Sequence, residues 1–120
     1  MFSPRTFDKW ARKESILDVA LVSDVDNADA GLVDANLKGC LVKLRVARPG
    51  RGKSGGYRTI VAYKTEARAF FLYGFGKNEL ANVSVQEAEG YEEYGAILLE
   101  LTERELRGLI EEGKLREMRR

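Results

Sequence analysis

The sequence predicts an α+β fold, a small antiparallel sheet of about three strands with helices packed on one face. Two observations carry this. Apolar residues recur at helical spacing in the first and last thirds of the chain but alternate at period two in the middle. The strand-like segments are also contiguous, giving the order ααβββαα, which suits a small antiparallel sheet with helices packed on it. With 120 residues, 44% of them hydrophobic, the chain fits a single domain over 1–120 with a real core.

The first helix is expected to start at Ser3-Pro4, with Ser as N-cap and Pro in the first turn, and Phe7, Trp10 and Ala11 on one face. Ser15 with Asp18 reads as a second cap. Leu17, Ala20, Leu21, Val25 and Ala28 follow at helical spacing, and Gly31 ends the helix. In CLVKLRVA, residues 40–47, Val42, Leu44 and Val46 alternate with Lys43 and Arg45, which predicts a strand with an apolar and a cationic face. Residues 48–55, rich in Gly, Arg and Lys, read as a loop. YRTIVAYK (57–64) and ARAFFLYGF (67–75) are β-rich segments a few residues apart, hence an antiparallel hairpin. Helices return with two capping boxes, Ser84/Glu87 and Thr102/Glu105. Leu101 and Leu106 form a hydrophobic staple at the second, Leu106, Leu109 and Ile110 make an apolar stripe, and Gly113 closes the helix.

Composition removes several kinds of chemistry. The sequence contains no histidine and one cysteine, Cys40. Ser-His-Asp and Cys-His nucleophiles, a two-histidine ribonuclease and an internal disulfide are therefore excluded, and a Cys/His zinc site lacks its ligands. No metal or cofactor is expected. MFSPRTFDKW has no apolar stretch after its charge and is not read as a signal peptide, and no apolar run has the length of a membrane span. A cytoplasmic location without membrane contact is expected.

The net charge is +1, but it is unevenly placed. From Lys43 to Arg58 the cations Lys43, Arg45, Arg48, Arg51, Lys53 and Arg58 occur with no acid among them, whereas Glu79 to Glu112 holds ten Glu and two Arg. The run ARPGRGKS (47–54) matches a loose phosphate-loop pattern. That pattern needs a helix directly after the glycine turn, whose N-terminus meets the phosphates. Here GGYRTIVAYK follows, a strand by period and composition, so nucleotide binding is set aside. The basic segment is either a solvated hairpin connection or part of a cationic surface that meets phosphates. Tyr57, Tyr63 and Tyr73 are open to base stacking or to sheet packing.

GLVDANLKGCLVKLRVARPGRGKSGGYRTIVAY (31–63), FFLYGFGKNELANVS (70–84) and the tail LTERELRGLIEEGKL (101–115) together resemble the RelE-like toxins of type II toxin–antitoxin modules, and among them the HigB-like branch. The resemblance implies a compact α+β domain with a curved antiparallel sheet. It implies a metal-independent endoribonuclease, an mRNA interferase that inhibits translation by cutting messenger RNA, usually on the ribosome. Its partner would be a cognate antitoxin, commonly a helix-turn-helix protein, in a hetero-oligomer. Such toxins often cleave without histidine.

Cleavage by attack of a 2′-hydroxyl needs a proton acceptor, a donor for the leaving 5′ oxygen, and cations at the pentacoordinate phosphate. By the resemblance, Arg58 is the phosphate stabiliser, and Lys43 and Lys77 supply a proton or hold the phosphate. Glu79 is a candidate general base or a helix N-terminal charge. Arg45, Arg48, Arg51 and Lys53 are expected to contact RNA, and Asn78 and Asn82 either contact RNA or cap the turn. Two departures stand out. Many relatives carry arginine where this chain has Asn78, and some carry a tyrosine near Ser84, whereas here Tyr91 and Tyr94 lie further along a helix expected to pack on the sheet. These departures leave room for a non-catalytic toxin, such as a topoisomerase poison, or for an antitoxin-binding module.

Overall fold

The computed structural model describes residues 1–37, 39–48, 52–65, 67–76 and 85–118. Within them the chain runs β1 (Phe2–Pro4), α1 (Arg5–Lys13), α2 (Asp18–Asp29), β2 (Ala35–Asn36), β3 (Leu41–Arg48), β4 (Gly52–Thr65), β5 (Arg68–Gly76), α3 (Val85–Leu99), α4 (Glu103–Glu111) and β6 (Leu115–Glu117). The α+β class holds, and β3, β4 and β5 are the three expected strands. The sheet itself is larger, with six strands in the order β2-β3-β4-β5-β1-β6. It is also mixed, because β1 runs parallel to β5 through Phe2 opposite Phe70, while β6 returns antiparallel to β1. The additional strands are two or three residues long, too short to show a period in sequence.

The expectation of helices on one face is also corrected. Along β3 and β4 successive side chains enter two separate cores, as the pleat requires. Val42, Leu44, Val46, Tyr57 and Val61 pack with Phe7 of α1 and Leu21 and Val25 of α2. Leu41, Ile60, Ala62 and Phe70 pack with Leu98 of α3 and Leu106 of α4. Helices therefore cover both faces. The face carrying Lys43 and Arg45 reads as cationic in sequence, but it begins with buried Leu41, and α3 lies over that end. Gly95 makes this approach possible, since a Cβ there would stand 2.7 Å from the Cβ of Ala62.

Local signals were partly displaced by tertiary pairing. Ser3 and Pro4 belong to β1, and Pro4 itself occupies the N-cap of α1. Ser15 does not cap α2, whose N-cap is Leu17. It sits at φ 57° just past α1, with Ile16 N–H donating to the Ala11 carbonyl at 2.9 Å and Ser15 N–H to that of Arg12. That is a Schellman termination with serine where glycine is usual. Gly31 ends α2 and Gly113 ends α4 in the same way, at φ 89° and 75°. The Thr102/Glu105 capping box forms as expected, and Ser84 lies outside the described residues. The expected loop over 48–55 is corrected where it is described, since Arg48 ends β3, pairs with Gly52, and the GKS run lies in β4, while residues 49–51 lie outside the described residues. No helix follows that run, so the helix N-terminus a phosphate loop requires is missing there.

Candidate functional site

The registers of β3, β4 and β5 place three of the expected site residues, Lys43, Arg45 and Arg58, in two adjacent rows on the α3 side of the sheet. In one row Arg45 stands opposite Arg58, which stands opposite Phe75. In the next, Lys43 stands opposite Ile60 and Ile60 opposite Tyr73. This face is thus cationic over β3 and β4 and aromatic over β5. Tyr91 of α3 stacks on Tyr73 with ring centroids 5.6 Å apart, and the Phe75 ring lies 5.9 Å from that of Tyr73. Burial, with contributions from Tyr73 and Glu87, raises the pKa of Tyr91, so its hydroxyl keeps its proton.

Two like charges directly opposite on neighbouring strands repel. The fold answers with a residue that sequence reasoning missed. Asp34, at the entry to β2, accepts a hydrogen bond at Oδ1 from Arg45 Nε at 2.7 Å. Its Oδ2 lies 3.3 Å from Arg58 Nε and 3.6 Å from Lys43 Nζ. The chain brings this carboxylate into place through β2, where Asp34 N–H donates to the Lys43 carbonyl and Ala35 pairs with Lys43. Burial opposes the charge of Asp34, but the Arg45 hydrogen bond and the charges of Arg58, Arg45 and Lys43 prevail and hold its pKa below the usual carboxylate value. Three cations around one carboxylate leave the cluster positive. Arg58 and Lys43 are its inner members, with side chains 11% and 20% exposed, while that of Arg45 is 51% exposed. A cleft of about 260 Å³ lies beside Asp34 and Arg45 at this edge of the sheet.

The other expected site residues divide into two groups. Arg48 and Lys53 lie on the paired ends of β3 and β4 beyond the cluster, with only their strand backbone described. Arg51, Lys77, Asn78, Glu79 and Asn82 lie outside the described residues. The last described residue of β5, Gly76, pairs with Tyr57, the neighbour of Arg58.

The tyrosines resolve individually. Tyr57 is buried on the α1 side, edge-on to Trp10, with its hydroxyl donating to Glu14 at 3.1 Å. Tyr63 donates to Asp29. Both serve packing. Tyr73 alone of the three stands on the cationic face. Tyr91 packs onto the sheet as expected, whereas Tyr94 is exposed.

Cys40 is half-buried, and desolvation raises its thiol pKa, which favours the protonated form. Among the described residues no helix is long and apolar enough to cross a membrane. A family model described as the RelE toxin of the RelE/RelB toxin–antitoxin system matches residues 1–118.

Proposed function

The chain belongs to the RelE toxin family of toxin–antitoxin systems, and on that footing we propose that it is a metal-independent endoribonuclease of the HigB-like branch, acting as one domain in the cytoplasm. Its substrate is messenger RNA, cut on the ribosome, and its restraint is a cognate helix-turn-helix antitoxin. The observation that carries this is the convergence of Lys43, Arg45 and Arg58 on one face, next to the half-buried ring of Tyr73. Phosphates need fixed cations, and these two rows hold three of them beside one another.

In the proposed reaction the ribose 2′-hydroxyl attacks the adjacent phosphorus, and the bond from phosphorus to the 5′ oxygen breaks. The products are a 2′,3′-cyclic phosphate and a 5′-hydroxyl. Arg58 stabilises the charge that builds on the non-bridging oxygens, since its planar fork matches two of them and never deprotonates. Lys43 neutralises the same phosphate from the next row. Lys77 donates a proton to the leaving oxygen and Glu79 accepts the one released by the 2′-hydroxyl. Arg45, Arg48, Arg51 and Lys53 hold the flanking phosphates, and Asn78 and Asn82 contact the RNA beside them.

The test is induced expression followed by mapping of messenger RNA 5′ ends. New 5′-hydroxyl ends within open reading frames, accompanied by growth arrest, are expected. Arrest without new ends would overturn the ribonuclease and leave a toxin that acts by binding.

A further inference from the structure

We propose that Asp34 is a positioning residue for the phosphate-binding arginines, a role that rests on the ribonuclease function above. The geometry differs from that of an anion merely sitting in a basic pocket. Asp34 makes its closest approach to both Arg45 and Arg58 at Nε. The Nη1/Nη2 edge of a guanidinium, one of the two edges that fit two phosphate oxygens, is therefore not the edge Asp34 engages most closely. Asp34 holds each fork from behind. Its own placement is fixed, because its backbone N–H is bonded to the Lys43 carbonyl and its side chain is only 11% exposed. Arg58 is braced a second time by its Nη1 donating to the Tyr57 carbonyl at 3.3 Å.

Removing the carboxylate charge while keeping the shape of the side chain separates two effects. RNA affinity follows local charge, and loss of one negative charge from the cluster raises it. The cleavage rate follows the placement of the guanidinium against the developing charge, and a displacement of about 1 Å costs up to about a hundredfold. Asp34→Asn is thus expected to bind RNA more tightly and cut it more slowly. A residue needed only for folding gives neither split, and a residue that competes with substrate gives tighter binding with faster cutting.

The experiment compares wild type, Asp34→Asn and Asp34→Glu. Affinity is measured with a short 2′-O-methyl RNA, which cannot be cut, and turnover with messenger RNA that the wild type cleaves. For Asp34→Asn a Kd about threefold lower and a kcat about tenfold lower are expected, with Asp34→Glu recovering part of kcat. In nitrogen-15 NMR spectra the Arg45 Nε–H signal, expected to be protected in the wild type by its hydrogen bond to Asp34, should exchange rapidly in Asp34→Asn. An unchanged or raised kcat overturns the proposal, as does a Kd that rises with the fall in kcat. If the wild type cleaves no RNA at all, the ribonuclease function fails on its own, and the NMR comparison decides: retained Nε–H protection in Asp34→Asn overturns the positioning role and its loss upholds it. If Asp34→Asn does not fold, Asp34→Glu carries the same comparison, and a kcat no lower than wild type overturns it.

Discussion

Asp18 and Asp34 both hold cations across the fold, and both tie its stability to pH. Asp18 has its pKa lowered chiefly by a hydrogen bond from Arg116, whose guanidinium reaches from β6 to Asp18 at 2.7 Å and to Asp8 at 3.1 Å. Asp34 has its pKa lowered by the cluster described above. A carboxylate with a depressed folded-state pKa binds fewer protons when folded, so its stabilisation is complete above the ordinary value of 3.8 and disappears as pH falls through the folded value. Denaturant unfolding measured from pH 7 downward should show stability falling below about pH 4, with a shallower fall in Asp18→Asn. An acid limb of the same slope in both proteins would remove Asp18 from that account. The effect at Asp18 is modest, because Arg116 and Asp18 are 46% and 40% exposed and solvent screens them. Neither partnership is legible in sequence. Asp34 lies 11 residues from Arg45 in the apolar context LVDAN, and only the β2–β3 register brings it to Arg58.

Elements were readable where a local signal met no competitor. At α4, Thr102 and Glu105 satisfy each other's N–H groups, with Thr102 Oγ1 accepting at 3.1 Å and Glu105 Oε1 at 2.9 Å. Leu101 and Leu106, on either side of the cap, reach the same core. Thr102→Ala should cost about 1 kcal/mol, read from the midpoint of chemical unfolding, and an unchanged midpoint would mean that the staple alone fixes the helix start. Ser3 carried an equally good helix-start signal, but pairing of β1 with β5 and β6 absorbed it. Ser15 carried a cap signal and instead took the left-handed position that ends α1. In the hairpin, alternation identified β3 and the later part of β4, whereas the glycines and basic residues between them suggested a loop. The backbone pairing of Arg48 with Gly52 carries the strands through that region, because glycine in a ladder depends on its neighbours rather than on its own propensity.

At the scale of the whole molecule, the sheet separates its duties by row. Helices α1 and α2 seal one face along its length. On the other face, α3 and α4 share a core with Leu41, Ile60, Ala62, Phe70 and Phe75, and the β3 side of that face carries Lys43 and Arg45. Sequence alternation showed that Lys43 and Arg45 share a face, and that much of the site was legible. The helix covering half of that face was not, because two-sided burial depends on where α3 lands, and that is set by the close fit of Gly95 against Ala62. Arg58 is the residue the fold places deepest among the clustered cations. The most direct measurement is the single-turnover cleavage rate of messenger RNA on ribosomes by wild type, Arg58→Lys and Arg58→Ala, each first shown to be folded. A loss of about a hundredfold or more in Arg58→Ala, with only partial recovery in Arg58→Lys, is the result this account predicts. A folded Arg58→Ala that cleaves at the wild-type rate would contradict it.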